Sequence, residues 1–246
     1  MMRSFDKTDQ PVEFVQIYGE RNSGTNHLAR LLQDNMRQPD RLLGLKESEA
    51  TPLGTRIFGY KHWFVDPAKF TDSRQPRTLF VVIWRNPYTW LRAMMARPYA
   101  LERSIGGRSV AELPDIRLAG HVNGKDTRTE FHPVTGEAVT LFELRRLKIE
   151  SFGMLETLAD HVIFLNLETL LDSPLGLLRH LGTRHAAAFR PDPVLRDPPP
   201  ALRRECSRPE PFSDAETAIL DRNIHWPSEA RIGYGRGSYT VCGVQS

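Results

Sequence analysis

The sequence predicts an α/β fold, a single three-layer domain with a mainly parallel central sheet. Three observations support this prediction. Short apolar runs that are typical of buried strands alternate along the chain with segments of helical periodicity. One of those strands leads through a glycine-containing loop directly into a helix. The length of 246 residues is enough for one substantial core and too short for two full-sized domains.

Composition excludes several other classes of protein. Hydrophobic residues make up 40% of the chain and charged residues 26%, and no apolar run approaches the roughly 20 residues that cross a bilayer, so we expect no membrane span. The first residues lack the apolar stretch of a secretory signal, which favours a cytoplasmic location. Cys206 and Cys242 are far apart and near no second metal-ligating residue. We therefore expect neither a disulfide framework nor a bound metal.

The first strand and helix are connected by the stretch "YGERNSGTNHL". The preceding "VEFVQIY" is rich in β-branched and aromatic residues and predicts a strand, while "NHLARLLQDNM" has the apolar spacing of a helix. Gly19 and Gly24 have the spacing of a P-loop-like nucleotide-binding motif, but Thr25 and Asn26 stand where a nucleoside triphosphatase has Lys and Ser or Thr. The lysine and the magnesium ligand of such a loop are therefore missing.

This loop is still predicted to bind an anion. The backbone N–H groups from Asn22 to Asn26, which include those of Ser23, Gly24 and Thr25, precede or begin a helix whose N-terminus carries partial positive charge. Arg21 supplies a cation three residues before Gly24. A doubly charged phosphate or sulfonated phosphate, bound without metal, suits these groups.

The remaining elements follow the same alternation of strand and helix. "RIFGYKHWF" predicts a second short strand that ends around Tyr60, and "TLFVVIWRNP" predicts a strongly apolar strand that Asn86 and Pro87 terminate. Helices are predicted at "YTWLRAMMARPYAL", "TLFELRRLKIESFGMLETLADH" and "SPLGLLRHLG", a strand at residues 162–171, and a last helix with Ser213 as its N-cap.

Two stretches are predicted to lie outside the regular elements. A polar insertion at about residues 103–138 is expected to have little core and to carry acceptor specificity. A stretch rich in proline and arginine, at about residues 190–211, is expected to be an extended surface loop. Both are assigned to the single domain of residues 1–246.

Three of these motifs resemble, in the same order, the motifs of sulfotransferases that use 3′-phosphoadenosine 5′-phosphosulfate (PAPS). "YGERNSGTNHL" resembles their 5′-phosphosulfate loop, "FGYKHWFVDP" their Lys-and-His segment beside the acceptor hydroxyl, and "FVVIWRNPYTWLRAMM" their 3′-phosphate-binding segment. The resemblance is strong from about residue 12 to residue 98, and "VIFLNLETLLDSPLGLLRHLG" is similar to a later strand and helix of the family.

The resemblance implies a role for each matching residue. PAPS would be the sulfuryl donor, with its 5′-phosphosulfate on the loop of Asn22, Ser23, Gly24, Thr25 and Asn26, where Arg21 is the basic residue. Arg85 would hold the 3′-phosphate, His62 would be the general base, and Lys61 would stabilise charge on the transferring group. The acceptor would be a hydroxyl or an amine, with carbohydrates and small metabolites as candidates.

The sequence departs from the family pattern at two places. Ala93 stands where the family has a serine that bonds the 3′-phosphate, and the loss of such a bond costs about 1.5 to 3 kcal/mol unless Arg92 compensates. The basic residue of the loop, Arg21, stands one position earlier than in the cytosolic members, whose lysine aligns with Asn22.

Three other functions remain open at the level of sequence. They are a P-loop nucleotide or small-molecule kinase, a catalytically inactive nucleotide-binding homologue, and an arginine-rich nucleic-acid binder. The 33 Lys and Arg residues motivate the last of these, but no nucleic-acid-binding motif accompanies them, so we expect no nucleic-acid partner. The pattern does not indicate an oligomeric state.

Overall fold

The central feature of the fold is a five-stranded sheet whose strands alternate with helices along the chain. The computed structural model describes residues 1–45, 57–122, 125–127, 130–207 and 211–237. The strands are β1 (Met2–Asp6), β2 (Phe14–Gly19), β3 (Leu42–Leu43), β4 (Thr78–Trp84), β5 (Gly120–Val122), β6 (Lys125–Thr127) and β7 (His161–Asn166). The helices are α1 (Thr25–Asn35), α2 (Pro87–Ala96), α3 (Glu102–Ile105), α4 (Leu141–Gly153), α5 (Leu155–Leu158), α6 (Leu167–Asp172), α7 (Pro174–Arg184), α8 (Pro200–Ser207), α9 (Asp214–Asn223) and α10 (Trp226–Arg231). Within the described ranges, no helix is long and apolar enough to cross a bilayer.

The strand order of the sheet is β1-β7-β4-β2-β3. The four strands β7, β4, β2 and β3 run parallel to one another. Only β1 runs antiparallel, along β7. A smaller hairpin is formed by β5 and β6. The predicted α/β class with a mainly parallel sheet is therefore confirmed.

Both faces of the sheet are buried, which is why its central strands are apolar along their whole length. Every residue of β2, β4 and β7 is buried. Alternate residues pack on opposite faces. One face packs against α1, α6 and α7 through Val15, Ile17, Leu79, Val81, Ile163 and Leu165. The other packs against α4 and α5 through Tyr18, Phe80, Val82, Trp84, Val162 and Phe164.

The sequence after β4 explains why the strand stops and a helix begins. Pro87 has no N–H to donate, and it occupies the first turn of α2, where no donor is needed. The Asn86 side chain accepts hydrogen bonds from the amides of Tyr88 and Thr89 and so caps the helix. Arg85 is thereby held at the junction of strand and helix.

Two strand predictions need correction, and one strand was not predicted. The segment predicted as the second strand is not a strand from Ile57 onward, because Gly59 has a φ of +98° that breaks extended backbone, and Arg56 lies outside the described residues. The strand that pairs with β2 on this side is the two-residue β3. The strand predicted at residues 162–171 ends at Asn166, where α6 begins. The N-terminal β1 was not predicted, since its exposed edge position tolerates the polar sequence MRSFD.

The two irregular stretches also contain more structure than expected. The insertion contributes Ile105, Val110, Leu113 and Leu118 to a buried cluster, so the expectation of little core is wrong. The proline- and arginine-rich stretch contains α8, which buries Cys206 fully against the core. Three prolines directly before the helical sequence fit a helix start, which the prediction of an extended loop overlooked.

The predicted start of the last helix at Ser213 is confirmed, but the segment predicted as one helix divides into α9 and α10. Ser213 caps α9, with its hydroxyl accepting from the amide of Glu216 and the Glu216 carboxylate accepting from the amide of Ser213. This reciprocal arrangement is a capping box. It sets the entry of the chain into α9, whose Leu220 is fully buried.

Candidate active site

The candidate site lies at the carboxyl ends of β2 and β4. These strands are adjacent and parallel, and from β2 the chain turns outward to β3 on one side before it returns to β4 on the other. Such a reversal of strand order opens a crevice at the strand ends, where ligands of open α/β sheets bind. The loop after β2 and Arg85 after β4 therefore come to the same edge of the sheet.

The two glycines of the first loop are required by its geometry. Gly24 has a φ of +89°, and a Cβ at this residue would lie 2.6 Å from a methyl group of Leu167. A Cβ at Gly19 would lie 2.8 Å from the carbonyl oxygen of Ile83 in the neighbouring strand. Asn22 also has a positive φ of 62°, which asparagine tolerates. The backbone thus turns sharply from β2 into α1.

The helix α1 begins directly after a glycine. Its N-cap is Gly24, which provides no side-chain hydrogen bond, and the first turn contains no acidic residue. The first amides of an α-helix have no acceptor within the helix, and the helix dipole makes this end positive. The chemistry of this helix end, at Thr25 and Asn26, is suited to an anion, and the binding of one there stays a prediction.

Ser23 is bonded within the loop itself. Its hydroxyl donates to the Glu20 carbonyl at 2.7 Å, its amide donates to the same oxygen at 3.2 Å, and the side chain is fully buried. The residue therefore braces the turn of the loop, with its hydroxyl bonded to the loop backbone.

Asn22 and Arg21 connect the loop to its surroundings. The Asn22 side chain donates to the Arg97 carbonyl at 3.0 Å, and the Asn22 carbonyl accepts from Arg85 at 3.1 Å. Arg21 forms a salt bridge of 2.8 Å with Glu130, a buried residue of the insertion. Both residues lie at the cavity, and both also fix the loop to neighbouring segments.

Lys61 lies at the N-terminal end of α1. Its backbone lies beside the loop, because the Gly19 amide donates to the Lys61 carbonyl at 3.0 Å. Its ammonium group donates to the side-chain oxygen of Asn26 in the first turn of α1. Burial and the nearby charge of Arg21 lower the pKa of Lys61 to about 8. The group is therefore charged at neutral pH and loses its proton under mildly alkaline conditions.

His62 is buried and held in one tautomer. Its Nδ1 lies 2.6 Å from the Gly19 carbonyl oxygen, so Nδ1 carries the proton and Nε2 keeps its lone pair. Burial, with the charges of Arg21 and Lys61, holds the pKa of His62 well below its usual value. A neutral imidazole with a free lone pair is the form in which histidine accepts a proton.

Arg85 is almost completely buried, with a side-chain exposure of 1%. Its Nε donates to the Thr89 hydroxyl at 3.1 Å, while Nη1 and Nη2 both lie 3.4 Å from one oxygen of Glu205. The fork of the guanidinium group is therefore held by α2 and aimed at a carboxylate. This geometry suits any planar or tetrahedral oxyanion.

A buried network of charges supports the site from behind. Arg145 of α4 contacts Glu20 at 2.6 Å and forms two hydrogen bonds to Glu229, and its Nη2 donates to the Arg85 carbonyl at 2.8 Å. Lys148, one turn later, donates to the His62 carbonyl at 2.5 Å. Burial lowers the pKa of Lys148 to about 8 and raises that of Glu20 to about 7. The network fixes the backbone at both ends of the site.

These segments enclose a cavity of about 390 Å³, within the range typical of small-molecule sites. Among the described residues that line it, four are lysine or arginine and none is acidic. They are Arg21, Asn22, Gly24, Thr25, Asn26, His27, Tyr60, Lys61, His62, Arg85, Arg97, Tyr99, Pro199, Ala201 and Leu202. The composition of the lining favours an anionic ligand.

A separate group of side chains has a composition suited to a metal. Among the described residues, ligand atoms of Asp6, His161 and His185 lie within 4.8 Å of one another. The group lies at the opposite edge of the sheet, where β7 begins. Asp6 is already bonded to His161 and to Arg184, each at 2.7 Å, so its charge is compensated without a metal. We interpret the group as an ion-pair cluster outside the candidate site.

Sequence reasoning missed Arg97 and Glu205 and misplaced Arg92. Arg92 packs 3.7 Å from the ring centre of Phe212 and donates to the Pro211 carbonyl, so it does not compensate for Ala93 at Arg85. Arg97 does lie beside Arg85, joined to it through Glu205. The pair Arg97-Pro98 at the end of a helix was a visible signal for Arg97, whereas no local pattern distinguishes Glu205.

Comparisons with known proteins find no relative. No protein-family model, no curated protein and no solved structure matches the chain. The resemblance to PAPS-dependent sulfotransferases therefore stays a prediction, carried by three motifs that the fold brings to one cavity.

Proposed function

We propose that the protein is a PAPS-dependent sulfotransferase that moves a sulfuryl group to a hydroxyl or amine acceptor. One observation carries the proposal: three segments that are far apart in sequence line a single cationic cavity. They are the loop from Arg21 to Asn26, the pair Lys61 and His62, and Arg85. The P-loop-like nucleotide-binding motif and the PAPS donor are parts of this proposal.

The lining of the cavity fits such a donor. PAPS, when bound, supplies a sulfuryl group on a 5′-phosphate together with a 3′-phosphate. The uncapped first turn of α1, with Lys61 at Asn26, would hold the 5′-phosphosulfate. Arg85 would hold the 3′-phosphate, as the resemblance implies. These groups position and neutralise anions, which is the larger part of catalysis in the related phosphoryl transfers.

His62 would act as the general base of the transfer. The acceptor proton would pass to Nε2, and the hydrogen bond from Nδ1 to the Gly19 carbonyl would stabilise the resulting imidazolium. Lys61 would stabilise the negative charge on the transferring group. Lys148 holds the backbone carbonyl of His62 and so acts as a positioning residue.

The test is transfer of labelled sulfate from PAPS to a panel of carbohydrates, phenols and amines. We expect the wild-type protein to label at least one acceptor. We expect His62→Asn, which can still bond the Gly19 carbonyl, to bind the donor normally and to transfer on the order of 100-fold more slowly. Full turnover in His62→Asn would show that His62 is not the general base. Donor binding without transfer across the whole panel would favour an inactive nucleotide-binding homologue.

A kinase is the second candidate, and one contact favours it. Lys61 reaches the first turn of α1, where a kinase lysine contacts the transferred phosphate, although it comes from a different segment. Phosphorylation of an acceptor with Mg²⁺-ATP, without transfer from PAPS, would replace our proposal by this one.

The pKa of Lys61 predicts how ligand affinity depends on pH. The ammonium group is charged below about pH 8 and neutral above it, so affinity for adenosine 3′,5′-bisphosphate should fall as pH rises from 7 to 9. Lys61→Arg keeps its charge and should abolish the fall, which calorimetry at several pH values can measure. Because Lys148 has a similar pKa, the same fall in Lys61→Arg would assign the effect to Lys148 instead.

A further inference from the structure

Glu205 lies beside the cavity, bonded to two of the arginines that line it, Arg85 and Arg97. Its carboxylate is bound by both arms of Arg97, at 2.5 and 2.7 Å, and by both arms of Arg85, each at 3.4 Å. Two guanidinium groups thus converge on one carboxylate, and one of its oxygens receives donors from both. This is an arrangement in which proteins bind phosphate.

Arg97 is placed by the same loop that forms the anion cradle. It follows the last residue of α2, and its carbonyl accepts a hydrogen bond from the Asn22 side chain at 3.0 Å. Its side chain is 41% exposed, whereas that of Arg85 is 1% exposed. Arg85 is therefore the fixed inner arm of the pair, and Arg97 is an outer arm that solvent reaches.

The Glu205 side chain can leave this position while α8 stays intact. Its side chain is 27% exposed, so a rotation about its own bonds leads to solvent. The helix α8 is attached to the core by other residues, because Cys206 is fully buried there and Leu202 packs against the same cluster. The carboxylate is removable while α8 stays in place.

We propose that Arg85 and Arg97 form a two-armed phosphate subsite, and that Glu205 occupies it in the free protein until a phosphate group of the ligand displaces it. The inference rests on the proposed function for the identity of that phosphate, the 3′-phosphate of the nucleotide. Arg97 supplies the phosphate contact that the side chain of Ala93 cannot make. The ligand must compete with Glu205, so its apparent affinity is lowered by the fraction of protein in which the subsite is closed.

The experiment compares Glu205 with a matched control. Glu13 also bridges two arginines, Arg41 at 2.7 Å and Arg77 at 2.8 Å, and its side-chain exposure of 29% is close to that of Glu205. It lies just before β2, at the opposite edge of the sheet. Glu13→Gln therefore repeats the change of charge away from the cavity.

Calorimetry with adenosine 3′,5′-bisphosphate and with inorganic phosphate gives the readout. We expect Glu205→Gln and Glu205→Ala to bind each probe about tenfold more tightly than the wild type. Glu13→Gln should bind as the wild type does. Unchanged or weaker binding by both Glu205 variants, in protein that melts normally, would overturn the inference, because Glu205 would then be only a clamp on α8.

A second comparison tests whether Arg97 contacts the ligand. In the Glu205→Ala background, Arg97→Gln should weaken binding about tenfold if Arg97 contacts the ligand. Equal affinity with and without Arg97→Gln would show that Arg97 only tethers Glu205, which would overturn the subsite.

The same data separate this inference from the proposed function. Tighter phosphate binding in the Glu205 variants, with no preference for the 3′-phosphorylated nucleotide over ADP, would support the subsite and contradict the donor. A clear preference for the 3′-phosphorylated nucleotide, with unchanged binding in the Glu205 variants, would support the donor and contradict the subsite. Failure of every variant to bind either probe would overturn both.

Discussion

Arg85→Gln is expected to reduce the affinity for adenosine 3′,5′-bisphosphate by about 100-fold or more. The variant loses both terminal nitrogens of a guanidinium group that α2 holds in place through Thr89. A hydrogen bond to a charged group contributes about 1.5 to 3 kcal/mol, so the loss of two such bonds corresponds to at least two factors of ten in affinity. Arg85→Lys keeps the charge but not the forked pair of donors, so its affinity should lie between those of the wild type and Arg85→Gln. Calorimetry measures all three proteins.

The control for this prediction flanks the same strand. Arg77 directly precedes β4, as Arg85 directly follows it, and its partner is the half-exposed Glu13. Arg77→Gln removes the same group at the other edge of the sheet and should leave ligand affinity unchanged. Wild-type affinity in a folded Arg85→Gln protein would exclude Arg85 from the ligand site.

Arg145→Met is expected to cause the largest loss of stability, about 3 to 5 kcal/mol at pH 8. Arg145 is the buried cation between Glu20 and Glu229, and all three residues have side-chain exposures of 4% or less. Removal of one partner leaves buried carboxylates uncompensated, which is far more costly than the loss of a surface pair. A loss of this size is a large part of the roughly 5 to 15 kcal/mol that stabilises a typical domain.

The loss should depend on pH in a defined direction. Burial raises the pKa of Glu20 to about 7 despite the charge of Arg145, so without Arg145 this carboxyl binds a proton still more readily. A folded-state pKa above the unfolded value favours folding at low pH, and that contribution is lost as pH rises through the folded pKa. Urea unfolding of Arg145→Met should therefore show a smaller deficit at pH 6 than at pH 8.

The neighbouring residue on α4 provides the comparison. Arg146 is only partly buried, so Arg146→Met should change the free energy of unfolding by less than about 1 kcal/mol. A deficit below 1 kcal/mol in Arg145→Met, or one that is equal at both pH values, would contradict the proposed role of the buried network.

The elements that the sequence predicted well are those specified by local pattern. The strand–loop–helix around Gly19 and Gly24 depends on apolar alternation, on glycine geometry and on helical spacing within about 25 residues. The end of β4 at Arg85 is marked by Asn86 and Pro87, whose effects are local as well. For this reason the sequence alone identifies Asn22, Thr25 and Arg85, three residues that line the cavity.

The elements that the sequence did not predict depend on tertiary contacts. The edge strand β1 has a polar sequence and exists because β7 offers it hydrogen-bond partners. The position of β3 depends on which part of the chain pairs with β2, and a two-residue strand leaves almost no periodic signal. Local propensity does not determine either choice.

Glu205 is the clearest case of a residue beside the cavity that only the fold reveals. It lies 120 residues from Arg85 in sequence, in a stretch whose prolines favoured the prediction of a loop. Its contact with Arg85 and Arg97 follows from the packing of Cys206 and Leu202 against the core. No spacing rule connects such residues, whereas the fold places them within hydrogen-bond distance.

The central claim is that the cavity binds a nucleotide with a 3′-phosphate. The most direct measurement is calorimetric binding of adenosine 3′,5′-bisphosphate, ADP and Mg²⁺-ATP to the wild-type protein, which requires no knowledge of the acceptor. We expect the 3′-phosphorylated nucleotide to bind at least about tenfold more tightly than ADP, because only it carries a 3′-phosphate for the proposed contact with Arg85. Equal affinity for the three nucleotides, or tighter binding of Mg²⁺-ATP, would contradict the sulfotransferase proposal.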